Sequence, residues 1–201
     1  MVTKRFLRIA AISAIINAVI FFAYSLINLV MFAIQQKAIS PSQNNIVAFL
    51  VSNLKPILTG THLLIFLSAL FIYASFIKLS FHAKVKPLPY SSYLVIFAML
   101  VLFLAMLASI FSFSALQFLA NLGIQKIEAF VGLSFIIFGI ALFSLKKSIK
   151  ESLLSGIGIL YILQGISLIS SLFLPLRLVD FTIAIRILEA VLLFSVAKSK
   201  A

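Results

Sequence analysis

Few residues in this sequence can do chemistry. Among 201 residues there are four acids, Glu128, Glu151, Asp180 and Glu189, two histidines, His62 and His82, and no cysteine. One acid stands apart. In "DFTIAIRILEAVLLFSVAKSKA", residues 180 to 201, Arg186 and Glu189 lie inside an otherwise apolar run. Residues three apart share a helix face, so the two can partly neutralise each other. If Lys198 marks a membrane boundary, Glu189 lies roughly 13 Å in, at about 1.5 Å per residue. A charge at that depth costs several kcal/mol and is a functional candidate by default. A paired, ionised state is expected. Two roles fit it equally: a coupling group in a solute path, or a pin that fixes the last helix against its neighbours.

The other candidates are weaker. Asn17 and Asn28 fall on one face of the first apolar segment with Ala10, Ala14, Phe21 and Tyr24. A buried Asn in lipid needs an interhelical hydrogen bond, so these two, like Gln117 and Gln164, suit either a polar lining or helix glue. His62, in "PILTGTHLLIF", can handle protons or simply be a hydrogen-bonded residue near the interface. His82 falls on the opposite side of the membrane, so the pair cannot share a metal or haem. Glu128, Glu151 and Asp180 are expected in first helical turns, where a carboxylate complements the helix dipole. Glu128 also shares a face with Gly132, Phe135 and Gly139.

The absence of Cys excludes disulfides, thiolate catalysis and Cys-ligated clusters. No phosphate loop, dinucleotide fingerprint, zinc-helix or nucleophile-elbow motif is present. The sequence therefore predicts no catalytic residue, no cofactor and no metal site, and a protein that is not an enzyme.

Elements must hold these residues in place, and the composition states which. The chain is 64% hydrophobic and 10% charged, with a mean hydropathy of +1.26. A soluble domain is about half apolar and a quarter charged. An all-α, polytopic membrane protein is expected. A span needs about 20 apolar residues, and six segments qualify: roughly 9–34, 57–78, 93–119, 127–145, 153–174 and 178–197. No cleaved leader is expected, because the first apolar part is too long for one. With no Trp, an interfacial aromatic belt would rest on the 5 Tyr.

The formal charge is +12. No basic cluster is interleaved with aromatics, so nucleic acid is not an expected partner. Basic residues sort by side instead. Lys4, Arg5, Arg8, Lys78, Lys84, Lys86, Lys146, Lys147, Lys150, Lys198 and Lys200 fall on one side; Lys37, Lys55, Lys126, Arg177 and Arg186 go to the other. The positive-inside rule then places both termini in the cytoplasm of a multi-pass cell-membrane protein, with anionic lipid at the cytoplasmic face.

In the longest outer connection, Ile46, Phe49, Leu50 and Leu54 share a helical face. This suits a short interfacial helix or an outward extension of the second span. Stripes at three- and four-residue spacing mark helix seams: Thr61, Ser68 and Ser75; Ala98, Ala105, Ser109 and Ser112; Glu128, Gly132 and Gly139; Ser155, Gly158 and Gly165. The endings "SFIKLS", "FSLKKS" and "FSVAKS" echo one another. A Lys at a helix C-terminus and a cytoplasmic interface explains them without a repeat.

The second half, "GLSFIIFGIALFSLKKSIKESLLSGIGILYILQGISLISSLF" with "IRILEAVLLFSVAKS", resembles a group of uncharacterised six- or seven-helix prokaryotic membrane proteins. The resemblance implies a single six-helix domain in which Glu189 is a recurring position, and it carries no activity. Small loops and glycine and serine seams favour a non-enzymatic membrane subunit or scaffold, with protein partners or a homo-oligomer. The alternative is a small-solute or ion transporter or channel using the Arg186–Glu189 pair.

Overall fold

The computed structural model describes residues 3–36, 45–111, 117–149, 151–173 and 180–199. Lys37, Ser112, Lys150, Arg177 and Lys200 lie outside them. The described residues form eight helices and no strand: α1 (Lys4–Gln35), α2 (Asn45–Ser52), α3 (Leu54–His82), α4 (Pro87–Phe111), α5 (Gln117–Leu122), α6 (Ile124–Ile149), α7 (Leu153–Ser170) and α8 (Thr182–Ser199). Five of these, α1, α3, α4, α6 and α7, are long and apolar enough to cross a membrane. That is the mark of a multi-pass membrane protein. The segment expected as a sixth span is helical too, but α8 carries Arg186, Glu189 and Lys198 within 18 residues.

Boundaries depart from expectation where the local chemistry is informative. The segment expected at 93–119 is not one helix: α4 ends at Phe111 and α5 begins at Gln117. At its start α4 takes in "PLPYSS", expected as loop. Proline in a first turn lacks only an N–H that has no intrahelical partner there. Beyond Ser52 the helical hydrogen bonds carry on, Asn53 N–H to Phe49 O and Ile57 N–H to Asn53 O, each at 3.1 Å. So α2 continues α3 at its N-terminal end, with a break at Asn53. Its buried residue is Val47, while Ile46 and Phe49 are exposed. None of the three acids occupies a helical first turn. Glu128 lies a turn further along α6, whereas Glu151 and Asp180 precede α7 and α8.

Six helices close into a ring. α1 packs on α8 and α3, α4 on α3 and α6, and α7 on α6 and α8. The α6–α7 seam is the most extensive and the α7–α8 seam the thinnest of the six. Neighbours in the ring run antiparallel. The two expected glycine stripes are the two sides of one seam. A Cβ on Gly132 would sit 2.6 Å from Gly165 O, and one on Gly139 2.6 Å from Gly158 O. Only glycine permits this backbone approach, which gives van der Waals contact in a setting where apolar burial gains little. The ring's outer surface carries large exposed apolar side chains such as Ile12, Val19, Phe22, Leu29, Phe97 and Ile140. Patches of that kind suit lipid rather than water.

Candidate functional site

Arg186 points into the ring from α8 and is 2% exposed. Its Nη1 donates to Glu189 Oε2 at 2.7 Å and to the Tyr161 hydroxyl at 3.0 Å. Its Nε donates to Asn17 Oδ1 at 3.0 Å, and Nη2 to the Tyr73 hydroxyl at 3.3 Å. Tyr161 donates its proton to Glu189 Oε1 at 2.6 Å. The 2.9 Å contact between the two phenols must therefore run from Tyr73 to Tyr161. Asn17 Nδ2 donates to Ile65 O at 3.0 Å and to Ser68 Oγ, and Ser68 passes its own proton to Leu64 O at 2.7 Å.

Four of the five guanidinium N–H groups have acceptors among the described residues, and both carboxylate oxygens accept. Arg186 and Glu189 are in contact, the pairing that the three-residue spacing suggested. A buried ion pair holds only when its remaining hydrogen-bonding capacity is met, and helices α1, α3 and α7 supply the partners. Glu189 is 0% exposed. The two phenols are held by aromatic edges: Phe138 packs T-shaped on Tyr73 at 5.3 Å and on Tyr161 at 4.9 Å between ring centroids. Phe135 approaches Tyr161 in the same way at 5.2 Å.

On the side away from the chain's termini, the ring encloses a cavity of ≈ 380 Å³. All six ring helices contribute to it: Phe21, Tyr24 and Asn28 from α1, His62 from α3, Met99 and Met106 from α4, Glu128 and Phe135 from α6, Gln164 from α7, and Arg186 from α8. Asp180, just before α8, lines it as well. The cavity stops at Arg186, and Glu189 and Asn17 lie behind it. Three local bonds shape the wall. His62 Nδ1 donates to Leu58 O at 2.6 Å, which leaves Nε2 as the acceptor of the neutral ring. Gln164 Oε1 accepts from Phe181 N–H at 2.6 Å, and Asp180 Oδ1 accepts from Thr182 N–H at 2.9 Å. The last two satisfy backbone donors at the start of α8, which lack intrahelical partners.

The six candidate residues thus form two connected groups. Arg186, Glu189 and Asn17 make the floor; Asn28, His62 and Glu128 line the chamber above it together with Arg186. Glu128, expected to serve the helix dipole, instead lines the cavity, because α6 begins a turn earlier than its apolar run. Glu151 accepts from Ser195 of α8 at 3.1 Å on the other side of the ring. Sequence reasoning missed Tyr73 and Tyr161, which it assigned with the other tyrosines to an interfacial belt. Both are fully buried. A phenol near the middle of an apolar helix needs a partner, and that signal was available. Tyr90 and Tyr93, near the start of α4, are exposed as a belt requires.

The fold and site define an all-helical, multi-pass type of membrane protein with a one-sided cavity. No protein-family model matches the chain, and comparison with curated proteins and with solved structures returns no significant match.

Proposed function

We propose that this chain is a six-span cell-membrane protein with both termini cytoplasmic, and that its cavity is a binding chamber for a small solute, open to the outside, as in a transporter. The observation that carries this reading is the cavity itself: all six ring helices line it, and it ends on Arg186. Support for α8 as a span comes from its packing along α1 with Arg186 and Glu189 turned inward. At about 1.5 Å per residue its 18 residues reach ~27 Å, close to a hydrocarbon core of about 30 Å. Support for the orientation comes from the lysine and arginine asymmetry, which also favours anionic lipid at the cytoplasmic face.

Passage across would require the floor to open. The α7–α8 seam is the thinnest in the ring, and the Tyr161 bonds to Arg186 and Glu189 bridge it. A second reading, a non-enzymatic scaffold subunit, draws its support from Glu189, which does not line the cavity among the described residues and is 0% exposed. In that case the floor is only a pin.

The chain has no Cys, which makes a direct test simple. Asn28→Cys, Met106→Cys and Thr182→Cys chains should react with a membrane-impermeant thiol reagent added outside intact cells. Leu145→Cys and Leu193→Cys chains should not. Failure to label all three cavity positions from outside overturns the chamber. Flux of a small solute into reconstituted vesicles that disappears in Glu189→Gln supports transport; a cavity that labels in vesicles showing no such flux leaves the scaffold.

A further inference from the structure

We infer that the groove between α4 and α6 binds an anionic phospholipid, an inference that rests on the reading of the lysine-rich side as facing an anionic leaflet. The groove has a volume of ≈ 510 Å³. It lies where α4 starts and α6 ends, on the side of the chain's termini. It opens away from the ring, for Ile140 in its wall is 56% exposed. Its lining is graded in polarity. Pro87 and Tyr90 of α4 meet Ser144 of α6 at the surface end, and Leu94, Ile137 and Ile140 line the deeper part. The two helices are antiparallel, so both polar ends fall at one level. Pro87 to Leu94, like Ile137 to Ser144, spans seven residues, a depth of roughly 10 Å at about 1.5 Å per residue. Hydroxyls above an apolar slot match a phospholipid, with glycerol and phosphate at the surface and an acyl chain beneath.

The surface end is collared by lysines. Lys86 immediately precedes Pro87, and Lys147 lies one turn beyond Ser144 on the same helix face. Both are exposed, as are Lys84 and Lys146 beside them. Residues 80–94 and 137–149 contain no Asp or Glu. The next acid along the chain, Glu151, accepts from Ser195 of α8. Basic pockets between membrane helices on the cytoplasmic side suit anionic headgroups. Lys84 adds an independent sign. Its φ of 55° is the one positive φ at a non-glycine residue among the described residues. Val85 N–H donates to Ser80 O at 2.9 Å and Lys84 N–H to Phe81 O at 3.4 Å, closing α3. Glycine is the usual residue at such a helix ending, because it has no Cβ to strain. Here the backbone alone favours glycine, and a lysine instead sets a cation three residues before the groove. A second groove, of ≈ 420 Å³ between α1 and α8, gives the comparison: every residue lining it is apolar. Ile15 in that groove is seven residues from Arg8, as Ile140 is from Lys147. The two grooves thus differ in their polar ends rather than in depth.

The chain has no Trp, so a single introduced tryptophan reports the lipid beside it. Ile140→Trp, with Leu94→Trp as a second reporter, probes the α4–α6 groove; Ile15→Trp probes the other. The purified chains are placed in mixed vesicles of phosphatidylcholine and phosphatidylglycerol, with one or the other lipid brominated to quench tryptophan. Ile140→Trp should report a preference for phosphatidylglycerol of roughly fivefold, and Ile15→Trp close to none. Lys86→Gln with Lys147→Gln should bring the preference at Ile140→Trp down to that at Ile15→Trp. Lys84→Gly should lower it too, on a backbone that glycine suits better, so misfolding does not account for the loss. Equal quenching by the two lipids at both groove reporters, the same preference at Ile15→Trp, or a preference untouched by all the lysine variants overturns the inference. Labelling of Asn28→Cys from outside cells separates the readings. A groove preference without that labelling supports the lipid site and overturns the orientation; labelling without a groove preference overturns the lipid site and leaves the chamber.

Discussion

The two halves of the ring are built from the same six helices and are packed differently. On the side of the termini, Leu7, Phe76, Leu88, Phe138, Leu142 and Leu145 fill the interior with no exposure. On the opposite side the same helices leave a cavity of ≈ 380 Å³. The boundary between the two is the Arg186–Glu189 floor. The contrast shows that the charges are not scattered through a greasy bundle. They sit where dry packing stops, and Phe138 and the two phenols join the floor to the apolar half below it.

Substitutions can break or sharpen this contrast. The largest effect is expected at the floor. Arg186→Met leaves Glu189 buried without its cation and should cost about 3–5 kcal/mol, read as lost resistance to SDS-induced unfolding in mixed micelles. The double change Arg186→Met with Glu189→Leu should recover most of that loss, because an apolar pair of similar size needs no counter-charge. If the double variant is no better than the single one, the pair is not the unit described. Next comes the dry half: Phe138→Ala should cost about 3–5 kcal/mol in the same assay, since it opens a cavity under both tyrosines. At the tight seam, Gly139→Ala should cost about 1–3 kcal/mol through overpacking against Gly158 O. Asn17→Leu removes the bridge from α1 to Arg186 and should cost about 0.6–2 kcal/mol. The smallest effect is expected at the chamber wall. Met106→Ala merely enlarges an existing space and should cost less than ~1 kcal/mol. A loss at Met106 as large as that at Phe138 would show that the two halves are packed alike.

Much of this arrangement was legible in the sequence because membranes permit few solutions. Apolar length marked five of the helices, and the glycine spacing of seven residues marked both sides of the α6–α7 seam. The three-residue spacing of Arg186 and Glu189 gave their pairing, which is a property of one helix alone. The rest depended on partners distant in sequence. Nothing at position 17 states that Asn17 meets Arg186, because the closing of the ring decides it. Glu128 was misplaced because its helix begins in the polar stretch "IQKIE", where apolar length gives no boundary. Tyr73 and Tyr161 were overlooked because they were grouped with the interfacial tyrosines, although their place near the middle of apolar helices already called for a partner.

The bond from Arg186 to Asn17 joins residues 169 positions apart. It has a consequence for biogenesis. α8 carries two charges through its middle, and each costs about 2.5–3.5 kcal/mol when a lone helix enters the bilayer. Its apolar content offsets that only in part, whereas α1 and α7 present the acceptors that receive the guanidinium. On the six-span reading, α1 precedes α8 in synthesis, so Asn17 would already be in place when α8 enters the membrane. On that reading α8 meets a prepared partner, and closing the ring is the step that hides its charges.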